Sequence, residues 1–348
     1  MEKRTIAVIF GGCSPEYPVS LESSHSVVVN FDREKYDLIL LGITKGGEWF
    51  RYYGGPEGIE NDTWREGVCV PAVISPDRET HGIIEFGSDG VKATRIDAAF
   101  PVMHGKNGED GTIQGLCEMA GIPIIGCGAL ASAICMDKDR AHRLASLAGV
   151  DVPKATVFTS MPDEAELARR AGEIGFPVFV KPVRAGSSFG ITKVSDAAAL
   201  IDAVKFAFRF DREVIIEEAI GGFEVGCAVM GNEALTIGRV DEIEIYGDIF
   251  DYVEKYSLKT AKIHMPARIS AETEERIKAD AAKIYRALGC RVMARVDMFL
   301  TPEGRVVFNE VNTIPGFTPH SRFPNMMKGI GLDFTALLDE LVAYTFEE

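Results

Sequence analysis

The segment from Arg295 to Asn312, RVDMFLTPEGRVVFNEVN, constrains the fold more than any other. Thr-Pro-Glu-Gly is a four-residue turn signal between two runs rich in Val, Phe and Leu, which predicts a β-hairpin. Placing Leu300 opposite Arg305 sets Arg295 against Glu310 and Asp297 against Phe308. With side chains alternating at period 2, Arg295, Asp297, Glu310 and Asn312 then share one face. Val296, Met298, Leu300, Val307 and Val311 share the other. One face is core and the other a polar site, where two carboxylates and an amide oxygen offer hard ligands of the kind Mg²⁺ takes beside nucleotide phosphates. The plain alternative is a surface salt bridge between Arg295 and Glu310.

A hairpin of this kind needs layers around it, and the rest of the chain supplies them. Thr5 to Phe10 closes on Gly11-Gly12, and a helical pattern runs from about Ser20 to Asn30. Leu38 to Ile43 and Ala98 to Val102 alternate with helical segments such as Thr112 to Ala120, which predicts a parallel sheet for the first third. Residues 44–94, rich in Gly, Pro and charge, read as an elaborated loop or hairpin insertion. From Met136 the sequence DKDRAHRLASLAGV has helical spacing, with Leu144, Leu147 and Ala148 on one face, and stops at Gly149. FPVFVKP (176–182) and EVIIEEAI (213–220) are buried-type strands, and Gly221-Gly222 reads as a hinge between lobes. A helix over about 271–288 and a final amphipathic helix near 333–346 complete an α/β chain.

Two loops carry further chemistry. VKPVRAGSSFG (180–190) combines Lys181, two glycines, Ser187 and Ser188, whose backbone amides and hydroxyls can wrap phosphate oxygens, although the P-loop order is absent. With Lys138 and the polar face of the hairpin, it points to a triphosphate; singly, each lysine reads as solvated. GGCSPEYPVSLESS (11–24) sets Glu16 before a helix, and HGKNGEDG (104–111) brings His104 and a dense glycine run to a strand end, where ligands bind in open parallel sheets. Helix capping by Glu16 and a loop hydrogen bond by His104 are the bland readings. No segment fits G-x-G-x-x-G, which argues against a nicotinamide site.

Charge and cysteines narrow the class. The 348 residues carry 37 Lys and Arg against 52 Asp and Glu, a net −15, so broad nucleic-acid or membrane binding is not expected. Seven scattered cysteines without metal-ligand spacing suit a reducing cytoplasm. MEKRTIAVIFGG is too short in apolar residues for a signal segment, and no run approaches a membrane span.

Taken together, GGCSPEYPVSLESS, HGKNGEDGTIQG, MDKDRAH, VKPVRAGSSFG, DYVEKY, RVDMF and NEVNTIPGFTPHS resemble, in order and over nearly the whole chain, the D-alanine:D-alanine ligases of the ATP-grasp superfamily. The resemblance implies a three-lobed α/β ATP-grasp fold. A Rossmann-like N-terminal domain would span 1–128, and a central lobe (129–221) and a C-terminal lobe (222–348) would sandwich ATP. It implies that Lys138, Lys181, Ser187, Ser188 and Lys255 contact ATP phosphates, and that Glu217, Glu218, Ile220 and Glu224 bind the adenosine. Asp297, Glu310 and Asn312 would hold two Mg²⁺, with Mn²⁺ able to substitute. Glu16, with Ser187 and Tyr256, would engage the first D-alanine and the DYVEKY segment, and Arg295 would stabilise the oxyanion. His104, Ser321 and Arg322 would serve the substrates.

Three departures, RAGSS, EEAI and Arg322 after His320-Ser321, together with FDYVEKY, resemble the vancomycin-resistance branch, closest to its D-alanine:D-serine ligases of the VanG type. Retention of Lys255-Tyr256 favours an amine acceptor. Arg322, with Phe250, would shape the second subsite, against the alternative of an exposed arginine. A cytoplasmic homodimer acting on D-alanine and on D-serine or D-alanine is implied. The competing readings are an ordinary D-alanine:D-alanine ligase and an ATP-binding regulator.

Overall fold

A strand buried on both faces needs neighbours on both edges, and β1 (Arg4–Gly11), buried from Ile6 onward, has them. It lies parallel between β2 (Tyr36–Ile43) and β7 (Ala98–Val102). Helix α1 (Tyr17–Asn30) makes the crossover to β2. The computed structural model describes residues 3–186, 189–245 and 261–347.

Residues 44–94 do not form a loop excursion. They continue the same sheet as four antiparallel strands, β3 (Trp49–Tyr52), β4 (Cys69–Ile74), β5 (Gly82–Gly87) and β6 (Gly90–Arg95), in the order β6-β5-β4-β3-β2-β1-β7. Strands this short, with solvent on one face, leave little apolar pattern to read. Trp64 anchors the extension: fully buried, it stacks edge-on against Phe10 at 5.1 Å between ring centroids.

After α3 (Thr112–Ala120), α4 (Ala129–Met136) and α5 (Lys138–Leu147), a second sheet has the order β10-β9-β11-β8. It is formed by β8 (Ala155–Phe158), β9 (Val178–Pro182), β10 (Thr192–Val194) and β11 (Val214–Glu218). Val178, Val180, Val214 and Ile216 face its helices. The third sheet runs β15-β14-β12-β16-β17, from β12 (Phe223–Gly231), β14 (Asp241–Ile245), β15 (Ala261–His264), β16 (Val292–Leu300) and β17 (Val306–Asn312), with β13 (Leu235–Ile237) beside β12. The helix Ala271–Ala287 covers one face of it. The C-terminal helices Arg322–Lys328 and Phe334–Thr345 join the core of the first sheet, where Phe317 meets Phe100 at 5.6 Å.

Two local expectations need correction, and the glycine pair has a packing role of its own. In α5 Ala141 and Ala145 enter the core with Leu144 packed against them, while Leu147 is 85% exposed and the buried Lys138 and His142 are polar. Gly222 sits at φ +111°, and a Cβ there would stand 2.1 Å from the Leu300 carbonyl oxygen. The glycine pair therefore allows a tight crossing onto β16.

The hairpin is also registered differently: Leu300 pairs with Val306, Asp297 with Glu310 and Arg295 with Asn312. A β-bulge at Asn309 inserts one residue into β17 between the partners of Asp297 and Met298. The polar face survives the shift. Phe308 and Val306 join Val296, Met298, Leu300 and Val311 in one core cluster, and Val307, though fully buried, lies outside that cluster.

Candidate active site

A cavity of about 520 Å³ opens where the three sheets meet. The β1–α1 loop contributes Glu16, the β7–α3 loop His104 and Glu109, and the start of α5 Lys138. The β9 exit contributes Ala185 and Gly186. The hairpin provides Arg295, Glu310 and Asn312, and the following chain provides Thr313 to Gly316, Ser321 and Arg322; Glu224 of β12 closes the wall. Ser187, Ser188, Phe250, Lys255 and Tyr256 lie outside the described residues.

Arg295 and Asp297 stand two residues apart on one face of β16. Arginine Nε and Nη2 donate to both Asp297 oxygens at 2.7 to 3.1 Å. Arg295 therefore pairs with Asp297, not with Glu310, and the pair is buried, not at the surface. The bulge sets Asp297 opposite Glu310 and brings Asn312 close enough for its Nδ2 to donate to Asp297 at 2.9 Å. Among the described residues Nη1 of Arg295 makes no hydrogen bond, so a guanidinium that lines the cavity is held by one edge alone.

Asp297, Glu310 and Asn312 fit a hard divalent cation by donor chemistry, being carboxylate and amide oxygens on facing positions of neighbouring strands. Among the described residues no three His, Cys, Asp or Glu side chains form a group that could hold a metal ion by themselves, so the third protein ligand would be the Asn312 amide oxygen.

Arg322 is not an exposed arginine. It is 9% accessible and donates through Nε and Nη2 to Asp241 and through Nη1 to Glu224, each at 2.8 Å; Nη1 also lies 3.3 Å from Asp297. One guanidinium thus ties three carboxylates from β12, β14 and β16. Ser321 caps the helix it opens by position, and its hydroxyl bonds Thr318 at 2.9 Å.

The lysines are not solvated either. Lys138 Nζ donates to the Ala185 carbonyl at 3.1 Å and lies 3.7 Å from Glu310. Lys181 donates to Glu217 at 2.6 Å across β9 and β11. Glu217 is 2% exposed, and its other oxygen lies 3.6 Å from His142 Nδ1. Burial pushes the Glu217 carboxyl upward, but Lys181, His142 and Lys138 outweigh it and hold the carboxyl below its usual range. Glu218 accepts from the Lys154 backbone N–H at 3.2 Å, and Ile220 follows β11. Lys181, Glu217, Glu218 and Ile220 are not part of the cavity lining given above.

Glu16 occupies the N-cap position of α1 without a side-chain cap bond, so its carboxylate is turned to the cavity and not to its own helix. His104 donates from Nδ1 to the Ile314 carbonyl at 3.0 Å, and its Nε2 lies 3.4 Å from Ser23 Oγ. Burial lowers its pKa, making it a neutral tether between the β7–α3 loop and the chain after β17.

Sequence reading passed over Glu109 and Asp241. The glycine density around Glu109 marked only a loop, and Asp241 sat as one charge in a strand-like run. Glu109 accepts from the Gly105 N–H at 2.7 Å, and burial with the charge of nearby Glu16 pushes its carboxyl up to about 8. A carboxyl raised in the folded state stabilises most below its unfolded value and loses that contribution as pH climbs toward the folded one. In Glu109→Gln, the melting temperature relative to the parent should therefore rise steadily from pH 5 to pH 8. A flat difference across that window would show that Glu109 is ionised throughout.

The similarities to known proteins agree with this geometry. Family models described as D-ala D-ala ligase N-terminus and C-terminus match residues 5–127 and 144–343. The chain belongs to the D-alanine:D-alanine ligase family. The crystal structure of the VanG D-Ala:D-Ser ligase from Enterococcus faecalis superposes with TM-score 0.93 at 55% identity, covering 99% of this chain and all of that one. The vancomycin B-type resistance protein VanB of the same species is 45% identical over the full length of both chains. A D-alanine–D-alanine ligase of Caldicellulosiruptor bescii is 40% identical over all of this chain and 96% of its own. The three sheets are those of the ATP-grasp ligase fold, and no helix among the described residues is long and apolar enough to cross a membrane.

Proposed function

We propose that this ATP-dependent ligase of cell-wall precursor synthesis joins D-alanine to D-serine through a D-alanyl phosphate, as a cytoplasmic homodimer. The observation that carries the reading is the buried Arg322 set among Glu224, Asp241 and Asp297, on the wall between the nucleotide side of the cavity and Ser321. The 55% identity to a D-Ala:D-Ser ligase supports it.

Attack of the D-alanine carboxylate on the γ-phosphorus of ATP brings two anions together. The repulsion is about 4 kcal/mol per pair of unit charges at 4 Å near a protein surface. Lys138, which lines the cavity, would lower that barrier, and Glu16 would receive the D-alanine ammonium. Two Mg²⁺ held by Asp297, Glu310 and Asn312 would supply the remaining positive charge around the phosphates. A bond from the carboxylate oxygen to the γ-phosphorus forms as the bond from that phosphorus to the ADP oxygen breaks. The free amine of the second D-amino acid then attacks the acyl carbonyl, and phosphate leaves. Arg295, fixed by Asp297, offers Nη1 to the oxyanion of that step. In this reading Lys181, Glu217, Glu218 and Ile220 form the adenosine end, and the resemblance assigns Lys255, Ser187, Ser188 and Tyr256, outside the described residues, to the phosphates and the first substrate.

Supplying ATP, Mg²⁺, D-alanine and an equimolar mixture of D-serine and D-lactate, with products weighed by mass spectrometry and ADP followed in parallel, tests the proposal. D-alanyl-D-serine is expected to dominate. A predominance of D-alanyl-D-alanine would make the chain an ordinary D-alanine:D-alanine ligase, the depsipeptide would overturn the amine-acceptor reading, and absence of ADP would leave an ATP-binding regulator.

A further inference from the structure

Lys138 and the Ala185-Gly186 backbone meet at the cavity from different elements, and a network of charged groups behind them ties those elements together. Arg184 makes three bonds to Asp211: its backbone N–H and Nε donate to Oδ2 at 2.7 and 3.1 Å, and Nη2 donates to Oδ1 at 2.8 Å. Nη2 also lies 3.2 Å from Glu213, and Nη1 3.9 Å from Asp137. Asp137 caps α5 by accepting from the Arg140 N–H at 3.0 Å, and Arg140 reaches Glu213 at 3.5 Å. Backbone bonds run the same way, from Lys138 N–H to the Val183 carbonyl and from Val183 N–H to the Glu213 carbonyl.

The chain leaving Gly186 returns to the same turn. Gly190, at φ +74°, packs so closely on Phe210 and Pro182 that a Cβ would stand 2.7 Å from each. Gly186 in turn faces the first sheet, its Cβ position lying 3.7 Å from Glu16 Oε2. The turn at Phe210-Asp211 is therefore the platform on which both ends of this stretch are fixed, and Gly186 stands between Glu16 and Lys138.

We propose that Arg184 and Asp211 are positioning residues for catalysis: their three-bonded clamp sets the Ala185-Gly186 backbone and Lys138 in register to receive the ATP phosphates beside the first substrate. The inference rests on the reading that Lys138 and this backbone meet phosphate. Burial opposes ionisation of Asp211, yet the bonds from Arg184 and the backbone hold its carboxyl below the usual range, which keeps the clamp charged at every working pH.

The experiment is steady-state kinetics on Asp211→Asn, Asp211→Glu, Arg184→Lys and Lys138→Ala, with melting temperatures measured on each. Asp211→Asn keeps the shape and loses the charge, and Arg184→Lys keeps the charge and loses the planar fork. Both are expected to raise KM for ATP about tenfold, through lost orientation, and to leave KM for the second D-amino acid within about twofold. Asp211→Glu should return KM for ATP to within about threefold of the parent. General loosening of the lobe would lower the active fraction, and with it kcat, without moving KM for ATP. That result, or an unchanged KM in Asp211→Asn while Lys138→Ala raises it, would overturn the clamp. An unchanged KM for ATP in Lys138→Ala would instead overturn the phosphate reading beneath it.

Discussion

Arg295→Ala should lower dipeptide synthesis by about 10²- to 10³-fold, the range for loss of one oxyanion donor in a site that excludes water, while ATP binding stays within a few fold. The expected split follows from where the guanidinium is held. Nε and Nη2 are committed to Asp297, so the side chain cannot swing to follow the nucleotide, and Nη1 offers charge only to a group at one point of the cavity. Burial works against the charge of Arg295, and Asp297 restores it. Truncation leaves Asp297 bonded to Asn312 and within reach of Arg322, so the carboxylate is not stranded and the fold should persist. Equilibrium binding of ATP and single-turnover ligation on the same preparation would check this. Arg295→Lys, which keeps the charge without the fork, should recover only a small part of the rate. Unchanged turnover in Arg295→Ala would sink the oxyanion role.

The difference between what the residues announce and what the fold adds is clearest at this hairpin. Alternation at period 2 suffices to gather Arg295, Asp297, Glu310 and Asn312 on one face, because that grouping survives any shift by an even number of residues. Pairing does not follow from it: the bulge at Asn309 adds a residue to one strand only, and no turn signal reports it. The same limit applies farther apart. Strands β3 to β6 are short and half-exposed, so their place beside β2 rests on Trp64 filling a space under Phe10, a contact between residues 54 positions apart. Lys138, Lys181 and Arg322 look like surface charges in sequence because burial of a charge depends on a partner that the sequence does not place. For Arg322 that partner is Asp241, buried on a strand of another element. Glu109 was missed for the converse reason. Nothing around it is apolar in sequence, yet the cavity wall desolvates it enough to push its carboxyl up to about 8.

Arg322→Ala is expected to cost about 3–5 kcal/mol of folding stability, the loss typical of breaking a buried charge pair from one side. Asp241 is fully buried. Without the arginine it would keep, among the described residues, only the Gly226 N–H, which donates to it at 3.0 Å. Glu224 and Asp297 would lose a shared cation at the same time, so three carboxylates would face one another across the cavity wall. The guanidinium also has no substitute in shape. It lies against β12 so closely that a Cβ on Gly226 would stand 2.1 Å from Nη2, and only a residue without a side chain admits it. Urea unfolding of Arg322→Ala, Asp241→Asn and the double variant Arg322→Met with Asp241→Asn separates charge from packing. The double variant removes cation and anion together and should regain much of the loss, because no uncompensated buried charge remains at Asp241. A loss below about 1 kcal/mol in Arg322→Ala would place Arg322 among ordinary surface arginines. Product analysis of the folded variants with equimolar D-serine and D-alanine reads the other half of its role. Loss of D-serine preference with ligation retained would locate selection at this buried arginine, and unchanged preference would assign it to other residues of the second subsite.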